Sequence, residues 1–312
     1  MITKIAAFSL FSASLFMFAA LSYAQQVADP EFKVTVAHSA YSKNGPRVLF
    51  DEAHNNFHTT HGRYKPFADL LTEDGYYVVA SRKPFTKESL ATFKVVVIVD
   101  ALGTEEVDDD GADHPAFTDE ECDAVRDWVR SGGALLLIVD RAPFNGAADT
   151  LAKHFGVDLS KGTAVDQAHV TAEHDNPGLV VSSRESGLLL DHPITQGRND
   201  SEKIKRVIAL TGQTVKGPEG STTFLKIAEP VIDKTQAAAG ADASASGVAG
   251  LAQGIAFKFG KGRVVVLGEA AMLSAQIVGR DRRPVGMNYP DVDNKQLALN
   301  IMHWLSGVLR ER

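Results

Sequence analysis

Asp51, Glu52 and His54 crowd the end of one apolar run, Val48-Leu49-Phe50, and His58 and His61 follow shortly after. Two more apolar runs end on acids, at Asp100 and Asp140, and Glu269 follows a fourth run that closes at Leu267. A carboxylate beside an imidazole can move protons near neutral pH, which is general acid/base chemistry suited to hydrolysis. Three imidazoles with nearby carboxylates can instead hold zinc or another divalent first-row metal, whose bound water becomes acidic. His54 and His58 are four residues apart, so a helical turn would place them on one face. Two plainer readings stay open. A strand-end Asp often caps the next helix or satisfies loop amides, and His58 and His61 can be polar loop residues. The spacing is weaker evidence than a His-Glu-x-x-His motif.

These residues need elements that bring distant segments to one place. Residues 47–51 read as a first, fully buried strand. A helix is expected over 64–73, with Phe67, Leu70 and Leu71 inward and Gly75 past its end. A second strand follows over 76–79, then a short helical connection over 90–93 and a third strand over 95–100. Thr118-Asp119-Glu120-Glu121 is a capping box that opens a helix to Arg130, ended by Gly132-Gly133. Residues 134–140 form a fourth strand, and a helix over 146–155 takes Asn145 as its cap. Strands are expected over 207–210 and 224–228. The runs 255–259 and 264–267 flank Gly260-Lys261-Gly262 and read as a hairpin. A closing helix is expected from Asn294 to about Leu309, with Asp293 and Gln296 as its capping box. Alternating strands and helices imply a doubly wound, mainly parallel α/β sheet with an antiparallel hairpin toward one edge. In such a sheet the strand-end acids converge on one rim, where ligands bind.

The chain begins with Met1-Ile2-Thr3-Lys4, an apolar run from Ile5 to Leu21, and Ser22-Tyr23-Ala24. This reads as a signal peptide over 1–24, with an uncleaved anchor as the alternative. No cysteine lies near the cleavage point, so a lipid anchor is not expected. The expected location is periplasmic or secreted, with no stable membrane span after cleavage. Residues 25–45 read as an irregular lead-in. The chain has 312 residues and a formal net charge of −7, which carries no footprint for nucleic acid. Nothing matches a phosphate loop or dinucleotide fingerprint, so no nucleotide cofactor is expected. Cys122, the only cysteine, shares a helix face with Val125, Trp128 and Val129 and is expected in the core. Glu106, Asp108, Asp110 and Gly111 imitate the start of a calcium loop, but Phe117 stands where its closing Glu belongs. That stretch reads as a solvated loop. His192-Pro193 reads as a structural turn, and His154 and His303 as helix residues outside the site.

Several stretches together resemble an uncharacterised bacterial family of the class I glutamine amidotransferase-like superfamily. They are Phe50-Asp51-Glu52-Ala53-His54-Asn55-Asn56, residues 117–140, Ala142-Pro143-Phe144-Asn145, and the ending from Gly268-Glu269-Ala270-Ala271-Met272 to His303-Trp304-Leu305. The ending also resembles domains of gliding-motility and intraflagellar-transport proteins. The resemblance implies a flavodoxin-like sheet in a single domain over 46–312, with insertions at about 157–205 and 229–254. It departs at one point. Amidotransferases place a Cys on a tight strand-to-helix elbow, and the turn here reads Arg141-Ala142-Pro143-Phe144. Glutaminase chemistry is therefore not expected.

Two functions remain. One is a hydrolase-like enzyme on a small or carbohydrate-type substrate, with Asp51, Glu52 and His54 central, Asp140 and Glu269 supporting, and His54, His58 and His61 as a metal set. The other is a non-catalytic domain that binds a glycan or a protein in an envelope assembly.

Overall fold

A computed structural model describes residues 26–42, 44–105, 114–160, 163–166, 179–210, 212–227, 230–233 and 252–310. The expected signal peptide, the core of the acidic loop near 110 and most of the 229–254 insertion lie outside the described residues.

In chain order the elements begin with β1 (Gln26–Ala28), β2 (Arg47–Asp51), α1 (Lys65–Glu73), β3 (Tyr77–Ser81), α2 (Lys87–Leu90) and β4 (Val95–Val99). Next come α3 (Asp119–Arg130), β5 (Ala134–Ile138), α4 (Phe144–His154), β6 (Asp158–Leu159), β7 (Thr163–Asp166) and β8 (Val180–Ser183). After α5 (Pro193–Gln196) and β9 (Arg206–Ala209) follow β10 (Val215–Lys216), β11 (Thr222–Lys226) and β12 (Pro230–Asp233). The chain closes through β13 (Ala252–Phe259), β14 (Gly262–Leu267), β15 (Ala275–Val278), β16 (Arg283–Gly286) and α6 (Asn294–Ser306).

The main sheet runs β3-β2-β4-β5-β14-β13-β10-β6, with β11 added against β13. β3, β2, β4, β5 and β14 are mutually parallel, and β13 turns back antiparallel on β14. Among the parallel strands this is the flavodoxin-like order 2-1-3-4-5, whose switch point lies between β2 and β4. The apolar runs are continuous because both sheet faces are covered. Val95, Val97 and Val99 of β4 enter one core with α1 and α6, while Val96 and Ile98 enter the other with α3 and α4. Cys122 is fully buried in that second core, as expected, and burial pushes its thiol up to about 12.

Local differences have local causes. The connection between β3 and β4 is helical at Lys87–Leu90 rather than 90–93, because Thr86 and Ser89 form a capping box ahead of the expected start. α4 begins at Phe144, and Asn145 does not cap it; its amide donates to the Ser160 carbonyl instead. Asp293 precedes α6 without a cap bond to it, and accepts from the Lys205 and Arg206 amides. The lead-in holds one short strand, β1, paired with β15 outside the main sheet. β6 is the last strand at the end of the main sheet opposite β3. The rest of the lead-in crosses the α1–β3 turn. Gly75 there has φ +92°, and a Cβ on it would meet the Tyr41 carbonyl oxygen at 2.0 Å.

Candidate functional site

The carboxyl ends of β2 and β4 flank the switch point, with Asp51 closing β2 and Asp100 following β4. The chain after β2 folds back across this crevice. The Phe57 amide donates to the Asp100 carbonyl at 2.9 Å, and the Leu102 and Gly103 amides donate to the His54 carbonyl. The Asn56 amide group donates to Asp51 Oδ2 at 3.0 Å and to the Val99 carbonyl at 3.4 Å, spanning the two strands. The place where an open α/β sheet takes its ligand is thus filled by His54, Asn56 and His58.

His54 is the centre of the first cluster. Its Nδ1 lies 2.9 Å from both Asp51 carboxylate oxygens, and its Nε2 lies 2.9 Å from Glu121 Oε1. Phe85 and Phe117 flank the ring at centroid distances of 4.9 and 4.5 Å, leaving His54 7% exposed. Burial works against the charged imidazole, but bonds to Asp51 and Glu121 outweigh it and raise the His54 pKa. Glu121 is also the α3 capping-box acid and accepts from the Thr118 and Phe85 amides. Burial opposes its ionisation, yet His54 and these amides hold its pKa down.

Glu52 leaves this group. Its Oε1 accepts from the Thr60 amide and hydroxyl at 2.8 and 2.7 Å, so it braces the loop and makes no bond to His54. The expected Asp51–Glu52–His54 centre is corrected to Asp51–His54–Glu121. The second carboxylate comes from α3 because the next backbone position after Asp51 points its side chain away.

The second cluster gathers the other acids. Asp100 is buried with φ +46°, a left-handed conformation uncommon for a residue with a side chain. Its Oδ1 accepts from the Asp140 amide at 2.8 Å, and its Oδ2 lies 3.3 Å from His58 Nε2. Burial and the Asp140 charge raise the Asp100 pKa well above the carboxylate range. Asp140 is pushed up to about 6, chiefly by burial, against the Arg141 and Ala270 amides that bond it. Glu269 is fully buried and brackets the following turn, accepting from the Ala271 and Met272 amides at 2.7 Å each. Burial and Asp140 push it up to about 8. Tyr64, also buried, donates to the Ala270 carbonyl at 2.6 Å. His58 is brought down to about 3 by burial and by Arg63, so it is neutral, and its Nδ1 has no partner.

Of the five residues expected to act together, Asp51 and His54 fall in one group and Asp140 and Glu269 in the other, the two joined through Asn56 and the Phe57 amide, while Glu52 belongs to neither. The three imidazoles do not form a metal-ligand set. Both nitrogens of His54 are taken by carboxylates, His58 lies against Asp100, and His61 is exposed. Among the described residues no group of three or more His, Cys, Asp or Glu side chains is arranged to hold a metal ion. Glu121, Asn56, Tyr64 and Phe57 were not picked out from the sequence. Glu121 was visible only as a helix cap, and nothing local marks a cap that also reaches a loop near residue 54.

Outside the plugged crevice lies a small exposed rim. Phe57 is 49% exposed, with the Arg63 guanidinium 4.6 Å from its ring centroid and Phe144 5.5 Å away. Asp140 and Arg141, four and three positions before Phe144, are only partly buried.

No protein-family model matches the chain, and no curated protein does. The solved structures give a likeness of fold. The mmIFT52 N-terminal domain superposes with a TM-score of 0.58 at 16% identity, over 83% of this chain and 97% of that one. Two further solved structures match less closely. A GMP synthase-type protein from Thermoplasma acidophilum matches at TM-score 0.45 and 11% identity, covering 85% of this chain and 96% of its own. A ThuA-like protein from Bacteroides uniformis matches at 0.42 and 12%, covering 89% and 95%. In this chain Cys122 sits in the core and Arg141-Ala142-Pro143 follows Asp140.

Proposed function

We propose that this chain is an exported, non-catalytic binding domain that recognises a carbohydrate-type ligand on the outer rim beside Phe57. The observation that carries this reading is the state of His54. A general base needs a nitrogen that can reach a substrate proton, and both nitrogens here are held by carboxylates inside an aromatic sandwich. Glu269 is likewise committed to backbone amides. What faces solvent is an aromatic ring with the Arg63 guanidinium and the Phe144 ring beside it. An aromatic face offers a large apolar surface to the C–H face of a sugar, and charged groups beside it can bond hydroxyls.

Calorimetric titration with cello- and manno-oligosaccharides tests this. Saturable binding weakened at least about tenfold by Phe57→Ala, about 1.4 kcal/mol or more, is expected. Binding that is absent, or indifferent to Phe57, sinks the reading.

One observation favours hydrolysis as a second reading. Asp140 is partly buried with its pKa near 6, within the range useful to a general acid. Turnover of the same oligosaccharides, abolished by Asp140→Asn, would establish it over the first.

A further inference from the structure

Arg63 is the cation of the Phe57 rim. Its Nε donates to the Gln26 carbonyl at 3.0 Å, and its guanidinium carbon lies 4.6 Å from the Phe57 ring centroid. Both Nη groups are left without a hydrogen bond or ion pair among the described residues. Half-buried arginines elsewhere carry an acid: Arg126 pairs with Asp123, Arg184 with Asp191 and Arg198 with Glu202. Asp100 is the acid whose field reaches Arg63, but its Oδ1 takes the Asp140 amide and its Oδ2 faces His58. Burial also holds Asp100 toward its neutral form. Burial lowers the Arg63 pKa, as expected of a cation that has lost water and gained no bonded anion in return. A partly desolvated guanidinium with a free fork is a binding group awaiting its anion.

We propose that the ligand of the Phe57 rim is an acidic sugar, whose uronate carboxylate is taken by the two Arg63 Nη groups while its ring lies against Phe57 and Phe144. The assignment rests on the carbohydrate-binding reading and names its ligand class. The two Nη groups form the end of a planar fork, which matches the two coplanar oxygens of a carboxylate. The bond from Nε to Gln26 and the contact with Phe57 order the guanidinium beforehand, so less side-chain freedom is lost on binding. Phe57 and Phe144, with ring centroids 5.5 Å apart, supply the apolar surface for the pyranose. Asp140 and Arg141, in the turn before Phe144, offset one another's charge. The chain as a whole carries −7, which repels anions at a distance, so the preference arises from contact with Arg63 rather than from steering.

Titration of the purified protein with β-1,4-linked oligomannuronate and with manno-oligosaccharides of equal length tests this. The two sugars differ only at C6, a carboxylate against a hydroxymethyl group. The uronate should bind at least about tenfold more tightly, and added salt should shrink the gap. Arg63→Gln should close it, and Arg63→Lys, which keeps the charge but not the fork, should restore only part of it. The ratio of the two affinities is the readout, because a general loosening of the rim lowers both and does not imitate the effect. Equal binding of the two sugars by the unaltered protein overturns the proposal and leaves the carbohydrate reading standing, and this comparison needs no variant to fold. A gap that Arg63→Gln leaves in place does the same. A 6-sulfated manno-oligosaccharide that binds as tightly as the uronate overturns the carboxylate assignment. Binding of neither sugar overturns the carbohydrate reading and the proposal together.

Discussion

Between Asp51 and Glu121, His54 acts as a buried cation that neutralises two acids from different segments. Removing it leaves one fully buried carboxylate and one partly solvated one without their partner. His54→Gln should therefore cost about 3 kcal/mol in urea unfolding, the low end for a broken buried pair because Glu121 still sees water. The second cluster has the opposite electrical problem, three acids and, among the described residues, no bonded cation. Glu269, with its folded pKa near 8 against about 4.3 unfolded, contributes stability that is complete below pH 4 and lost as pH rises through 8. His54, raised above 6.5, adds to the same alkaline loss, while His58, near 3 when folded, loses stability as pH falls below 6.5. Glu269→Gln should be less stable at pH 5, where an amide meets two backbone donors, yet should fall less between pH 5 and 9. Asp140→Asn should move the alkaline loss to lower pH, because the Asp140 charge helps raise Glu269; an unmoved curve would mean that Asp140 does not act on it. Unfolding curves across that range check both. Sequence spacing marked Asp51 with His54 because they are three residues apart on one loop. It misassigned Glu52, since adjacency in sequence says nothing about which way a loop side chain turns.

At the scale of elements, α3 carries more than its amphipathic pattern suggests. Thr118 accepts from the Glu121 amide while the Glu121 carboxylate serves the cap, the Phe85 amide and His54. Thr118→Ala should cost about 1 kcal/mol as a lost cap, and should also loosen the loop at His54, visible as faster amide exchange at Leu102 and Gly103. The far end of α3 is packed without slack. A Cβ at Gly262 would lie 2.1 Å from the Val129 oxygen and 2.2 Å from that of Gly133, both backbone. Gly262→Ala should cost about 2–3 kcal/mol by thermal melting, as an overpacked site. The parallel strands β2 to β5, α3 and the β13–β14 hairpin were legible because apolar runs and capping boxes are local signals, whereas β1, β15 and β16 were not marked. The start of α4 and the cap of α6 were not. Asn145 and Asp293 have the right chemistry for caps, but Ser160, Lys205 and Arg206, distant in sequence, claim their side chains.

Across the whole molecule, the sheet order decides how the chain can be assembled. The strands from β2 to β5 fill one half of the sheet, and β14 must slot beside β5 before β13, β10 and β6 have a place. β1 waits for β15, which lies near the other end of the chain. Long-range pairing of this kind slows folding, and refolding on the order of tenths of a second to seconds is expected in a stopped-flow measurement. The same order bears on transport. The signal-peptide reading requires a chain threaded through a membrane before it folds. A protein whose central strand arrives only with residues 262–267 cannot close its core while most of it is still being made. Late arrival of β14 would then act as a built-in delay, keeping the chain pliable for passage until its last quarter has been supplied.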